Sequence, residues 1–193
     1  AYSRWDLFKQ RSCGRVVDRM QLTIDSLEPT KQVGEILVKG DNLLLGYYKN
    51  PEATQAIFTS DGWMRTGDLG ILDKEGNVFI RGRNKSMILG PSGQNIYPEE
   101  IEAKLNNLPF VLESLVMEKD GKLYGLVYPD YEAVDTAGIS NAELEAAMED
   151  NRKELNSQVA SYEGISKIML YPNEFEKTPK KSIKRYLYTN LPV

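Results

Sequence analysis

Histidine is missing altogether from the 193 residues. That absence excludes histidine general-base catalysis and histidine-ligated metal sites within the chain. Cysteine occurs once, at Cys13, so no internal disulfide forms and a reducing compartment is expected. No apolar run approaches the roughly 20 residues that span a bilayer. Positive charge is not in excess: the formal net charge is −4. No global field draws the chain to nucleic acid, and no nucleic-acid partner is expected. The opening Ala1-Tyr2-Ser3-Arg4-Trp5 does not read as a signal peptide. With 41% hydrophobic and 27% charged residues, the chain can build one sizeable core or two small ones. A soluble, cytoplasmic globular protein is the expectation from composition.

What is present divides into two patterns. Residues 1–82 read mainly as β, with strands expected within Val16–Ile24, Glu35–Lys39 and Leu43–Tyr48. One helix interrupts them: Asn50 is placed to cap it, Pro51 to open it and Glu52 to face its positive end. Its apolar face is Ala53, Ala56 and Ile57, and it should end near Thr59–Gly62. From Ser86 on, Pro98 opens a helix with Glu99, Glu100 and Glu102 in its first turn and Ile101 and Leu105 as its buried stripe. Strands Val111–Glu118 and Lys122–Tyr128 meet at Asp120-Gly121. Asn141 is placed to cap an acidic helix reaching about Ser157, with Leu144, Ala147, Met148 and Leu155 inward, and Lys167–Tyr171 is a further strand. This β-β-α-β order predicts a compact α+β domain. There is no internal repeat and no low-complexity segment. The basic, polar stretch Gly82–Ser86 marks the boundary, giving units 1–83 and 84–193.

One constellation carries chemistry. Arg65-Thr66-Gly67-Asp68-Leu69-Gly70 and Arg81-Gly82-Arg83-Asn84-Lys85-Ser86 flank a hairpin signal, Asp73-Lys74-Glu75-Gly76-Asn77. A hairpin returns the chain to its start, so Asp68 and Arg83 are expected side by side. A carboxylate accepts from two vicinal hydroxyls, and a guanidinium donates to hydroxyl or phosphate oxygens. That pairing suits a ribose. Taken alone, a surface ion pair beside a β-turn accounts for the same residues.

The wider run decides between these readings. Asp61-Gly62-Trp63-Met64-Arg65-Thr66-Gly67-Asp68, preceded by Gly34-Glu35-Ile36 and Gly46–Thr54, resembles the adenylate-forming superfamily. So do Gly82-Arg83-Asn84-Lys85 and Gly93-Gln94-Asn95-Ile96-Tyr97-Pro98-Glu99-Glu100-Ile101-Glu102 after it. That superfamily holds acyl-CoA synthetases, nonribosomal-peptide adenylation domains and firefly-type luciferases. The resemblance covers most of residues 12–110 and returns near 177–188. It implies an α+β protein: the end of a large adenylation domain, a β-rich subdomain forming a distorted barrel, then a small mobile C-terminal domain. The family's phosphate loop and acyl pocket lie upstream of anything visible here. The chain is therefore expected to be the C-terminal portion of a longer enzyme, inactive alone, with the missing N-terminal part of the same chain as its partner.

The resemblance also implies roles. Asp68 matches the residue that holds the ribose hydroxyls, and Arg83 the one that supports the same sugar. Lys85 matches the hinge, where a few residues absorb a large backbone change. Gly93 and Gln94 belong to the loop that enters the site in the thioester-forming pose, where glycine permits close approach to pantetheine. Glu176-Lys177-Thr178-Pro179-Lys180-Lys181-Ser182-Ile183-Lys184-Arg185 resembles the segment carrying the catalytic lysine, yet the usual lysine position is Ser182. Lys184 keeps the same face if the segment is extended, while Lys181 is nearer the loop apex, so both are candidates. The implied reaction joins a carboxylate to ATP, giving an acyl-adenylate, and then to CoA, with Mg2+ as the expected metal. Tyr186-Leu187-Tyr188 and the Leu89–Tyr97 loop look most like bacterial long-chain fatty acid–CoA ligases. An amino-acid or carrier-protein-loading enzyme is a rival of the same class. A non-catalytic homologue binding a nucleotide or a protein is the rival of another class, kept open by Ser182. The cluster of five basic residues within 177–185 also reads as a solvated tail, or as a weak patch for nucleic acid or for anionic lipid, the latter giving peripheral membrane contact.

Overall fold

The computed structural model describes residues 2, 6 and 8–189; most of the opening pentapeptide discussed above lies outside them. The chain forms two compact units, residues 1–86 and 87–193. Both are built of strands with few helices, as the α+β expectation requires.

The first unit is an open antiparallel sheet in the order β1 (Met20–Asp25), β2 (Gly34–Gly40), β3 (Met64–Leu72), β4 (Val78–Arg83). No closed barrel is formed among the described residues. Alternation on β1 and β2 places Ile24 and Ile36 in a small core with Val78 of β4, and Leu22, Val38 and Leu72 pack against it. Between β2 and β3 runs α1 (Pro51–Ala56), capped by the Asn50 side chain, which accepts from the Ala53 N–H at 3.0 Å. The expected strand over Leu43–Tyr48 does not form. Tyr47 instead donates its N–H to Thr54 Oγ1 at 2.8 Å, so this segment folds back on the start of α1 and leaves Leu45 and Tyr48 exposed. The helix also stops earlier than its sequence suggested, at Ala56.

The second unit places a sheet of β7 (Val111–Lys119), β8 (Lys122–Pro129) and β9 (Ile165–Leu170) between two layers. A separate short ribbon, β5 (Ile88–Leu89) with β6 (Asn95–Ile96), precedes it. β7 and β8 are antiparallel through the Asp120-Gly121 turn, where both residues have positive φ. β9 lies parallel to β8. One face is covered by α2 (Pro98–Leu105) and α4 (Asn141–Gln158), whose Ile101, Leu105, Leu144, Met148 and Leu155 interdigitate with Val116, Leu123 and Val127. The other face takes Phe175 and Tyr188 from the chain's last segment onto Leu115, Met117 and Leu126. Two local readings are corrected. The cap of α4 is Ser140, one residue earlier than Asn141, in a reciprocal capping box with Glu143. A further helix, α3 (Tyr131–Ala137), fills the connection, capped by Asp130 and closed by Gly138 in the left-handed region.

Candidate functional site

The Thr-Gly-Asp turn is built from the neighbouring strand. Glu35 on β2 accepts from Arg65 at 2.7 Å and from the Gly67 N–H at 3.0 Å. Thr66 donates its hydroxyl to the Ile36 carbonyl at 2.7 Å, and its Oγ1 accepts from the Asp68 N–H at 3.1 Å. Gly67 sits at φ 74°, a conformation glycine adopts without strain. Asp68 thus leaves the turn in a fixed direction. Glu35 belongs to the Gly34-Glu35-Ile36 run, but its buttressing role carries no local sequence signal.

The hairpin then delivers the partner. Asp68 and Arg83 are direct neighbours in the β3–β4 ladder, and Arg83 Nη1 lies 3.1 Å from Asp68 Oδ1. A bulge near Leu69 and Gly70 shifts the pairing from Leu69–Gly82 to Gly70–Ile80 and fixes this register. The Asp68 side chain is 35% exposed and that of Arg83 62%, so both can meet a ligand. Behind them, Asp73 closes the turn. Burial would raise its pKa, but hydrogen bonds from Lys9 and Asn77 outweigh that and hold the carboxyl far below the usual range. The chain continues directly into a 3-10 turn, Asn84–Ser86, with Lys85 exposed on it.

In the second unit, the Gly90–Gln94 loop is a tight turn between β5 and β6. Gly90 donates to the Gln94 carbonyl at 2.8 Å, and Gly93 to the Gly90 carbonyl at 2.9 Å. Gly93 has φ 83° with no atom near where a Cβ would stand, so its surface is open to a close approach. Gln94 is half-buried and lines a surface pocket of about 270 Å3 together with Pro91, Lys122 and Tyr162.

The basic tail is a second small hairpin, with Lys177 bridged to Ile183. Lys181 sits exposed at its turn, at φ 60°. Ser182 is exposed beside it, its N–H on Thr178 Oγ1 at 3.3 Å. Lys184 is half-buried and paired with Glu176 at 3.1 Å; that hydrogen bond raises its pKa and keeps it cationic. Glu176 is anchored in turn, its backbone N–H donating to the Tyr188 hydroxyl at 2.7 Å. Lys177 pairs with Glu113 of β7 at 2.7 Å. Arg185 reaches across to Glu102 of α2, which also accepts the Val116 N–H at 2.6 Å. Burial pushes the Glu102 carboxyl up, against the opposing pull of Arg185. This tie spans 83 residues, and nothing in either segment's local sequence announces it.

Among the described residues no helix is long and apolar enough to cross a membrane.

The chain is similar to several known proteins. Over 97 residues the chain is 45% identical to the sulfoacetate–CoA ligase of Cupriavidus necator, covering 50% of this chain and 19% of that protein. It is 34% identical over 176 residues to the long-chain-fatty-acid–CoA ligase FadD15 of Mycobacterium tuberculosis, covering 79% of this chain and 28% of that protein. The O-succinylbenzoate coenzyme A synthetase (MenE) of Bacillus subtilis, solved in complex with AMP, superimposes with a TM-score of 0.75 at 27% identity, over 95% of this chain and 36% of that one. The chain thus spans between a fifth and a little over a quarter of the curated relatives' length. Residues 85–190 match the AMP-binding enzyme C-terminal domain, and the chain belongs to that family.

Proposed function

We propose that this chain is the C-terminal part of an ATP-dependent acyl-CoA ligase whose substrate is a fatty acid. The observation that carries the reading is the Asp68–Arg83 pair, half-open to solvent and set by ladder register directly before the turn that holds Lys85. In this reading the Asp68 carboxylate accepts from the two ribose hydroxyls of ATP, and Arg83 donates to the same sugar. The reaction forms a bond between a carboxylate oxygen and the α-phosphorus and breaks the bond to the β-phosphate, releasing pyrophosphate. A CoA thiol then displaces AMP. Negative charge grows on the phosphate oxygens during the first half, so a fixed cation is needed there. Lys184, held charged by Glu176, is the side chain assigned to it, with Lys181 as the alternative. Mg2+ is proposed as part of the nucleotide substrate. Lys85 is proposed as the hinge between units 1–83 and 84–193, and Gly93 and Gln94 as the surface offered to the pantetheine arm of CoA.

Support for the fatty acid comes from the likeness to FadD15, which extends over 79% of this chain. Sulfoacetate and succinylbenzoate ligases are similar as well, so the acid is the part of the proposal that a substrate panel must decide. We further propose a cytoplasmic enzyme, its peripheral membrane contact made through the exposed Lys180 and Lys181. The test is pyrophosphate release by the full-length parent with ATP, Mg2+ and a range of carboxylic acids, with and without CoA. Release with long-chain acids, and acyl-CoA when CoA is added, is the expected result. Release only with amino acids would move the protein to the carrier-loading class. No release with any acid would favour a binding-only homologue, the reading supported by an exposed Ser182 where the resemblance expects lysine.

A further inference from the structure

We infer that Glu102 is a positioning residue for adenylation, holding the tail that carries Lys184 through Arg185; this rests on the ligase reading above. Glu102 is 8% exposed, next to Ile101 on a helix whose buried face is otherwise apolar. A carboxylate so placed is costly unless each oxygen is satisfied. Both are: Oε1 accepts from the Val116 N–H at 2.6 Å, and Oε2 from Arg185 Nη2. Arg185 completes the ring with Nη1 on the Val116 carbonyl at 3.2 Å. Val116 lies on β7, the outer strand of its sheet, and this pair takes both of its backbone groups. The tail is therefore keyed to the strand at Val116, in addition to the Lys177–Glu113 pair, and not merely laid against it. Arg185 follows Lys184 directly, so the clamp fixes the backbone next to the candidate cation. The aromatic anchors Phe175 and Tyr188 hold the body of the segment, and the Lys184 N–H on the Glu176 carbonyl at 2.8 Å ties Lys184 into the tail hairpin; the clamp fixes where that hairpin sits on α2 and β7. Chemistry of this kind is sensitive to misplacement of about 1 Å, which can cost on the order of 100-fold in rate.

The test compares Glu102→Gln with wild type in the full-length parent, measuring the two half-reactions separately. Glutamine keeps an oxygen for the Val116 N–H and removes the nearer of the two charges on Arg185, leaving Glu99 at 3.7 Å. We expect pyrophosphate release to fall about 10- to 100-fold, while thioester formation from supplied acyl-adenylate and CoA stays within about twofold. Arg185→Lys keeps the charge and loses the two-nitrogen fork; it should show the same split and carries the test if Glu102→Gln fails to fold. Parallel loss of both half-reactions with a lowered melting temperature would reduce Glu102 to a structural residue and overturn the inference. So would an unchanged rate of pyrophosphate release in both variants. A wild-type parent that makes no adenylate overturns the ligase reading and this inference together, an outcome distinct from either.

Discussion

Asp68 and Arg83, fifteen positions apart in sequence, are ladder partners 3.1 Å apart at their charged tips. Both are substantially exposed, so their attraction contributes little to stability. Their value lies in what they present. Asp68→Ala in the parent enzyme should raise the KM for ATP at least tenfold while leaving the melting temperature within about 2 °C, because exposed pairs are worth about 0–1 kcal/mol. Steady-state kinetics over an ATP series checks it; an unchanged KM removes Asp68 from the ribose.

Lys184 and Lys181 differ in their surroundings, and that predicts different outcomes on substitution. Lys184→Ala should lower pyrophosphate release by about 100-fold or more, and Lys181→Ala, at an exposed turn, by less than fivefold. Because Glu176 raises the Lys184 pKa above the ordinary lysine value, its charge persists on the alkaline side. The pH–rate profile should then place any loss attributable to this lysine on the alkaline side of the ordinary lysine value. Glu176→Gln should bring that limb to lower pH.

Acid sensitivity of the first unit should trace to Asp73. Its carboxyl titrates lower in the folded chain than in the unfolded one. The stability it contributes is therefore complete above its unfolded value near 3.9 and fades as the pH falls below it. Trp63 belongs to this unit, and residues 87–193 contain no tryptophan. Urea melts followed by tryptophan fluorescence between pH 5 and 2.5 should lose stability on acidification, and Asp73→Asn should flatten that slope.

For the second unit, Leu155→Ala should cost about 2–5 kcal/mol, since Leu155 is fully buried between α4 and the sheet. Ser140→Ala should cost about 1 kcal/mol through loss of the α4 capping box. Chemical denaturation followed by far-ultraviolet circular dichroism would measure both.

Local signals were legible where they were dense. The Asp73–Asn77 turn, the Asn50-Pro51 helix start, Pro98 with Glu99 and Glu100 in its first turn and the Asp120-Gly121 reversal each combine special backbone residues with flanking periodicity, and each forms as expected; Glu102, expected in the same turn, lies past it and is buried. Ser140-x-x-Glu143 and the Asp130…Gly138 frame around α3 were equally dense signals; the acidic residues beyond drew the helix start one position late. Leu43–Tyr48 carries strand-like residues but pairs only through an isolated bridge from Tyr47 to Asn50, because pairing is a tertiary property that propensity does not supply. The Glu102–Arg185–Val116 clamp was invisible for a plainer reason: it joins residues distant in sequence, and neither end departs from its local pattern.

The parallel pairing of β9 with β8 has a consequence in time. The β7–β8 hairpin closes over two residues, whereas β9 must wait for the chain from Asp130 to Gly164 to cross over. Contacts between distant residues form late, after loop closure has been offset by earlier structure. The tail's ties reach back 69 residues to Val116 and 83 to Glu102. During synthesis, Lys184 comes to its place only after the hairpin, both covering helices and the crossover strand have formed the surface it leans on.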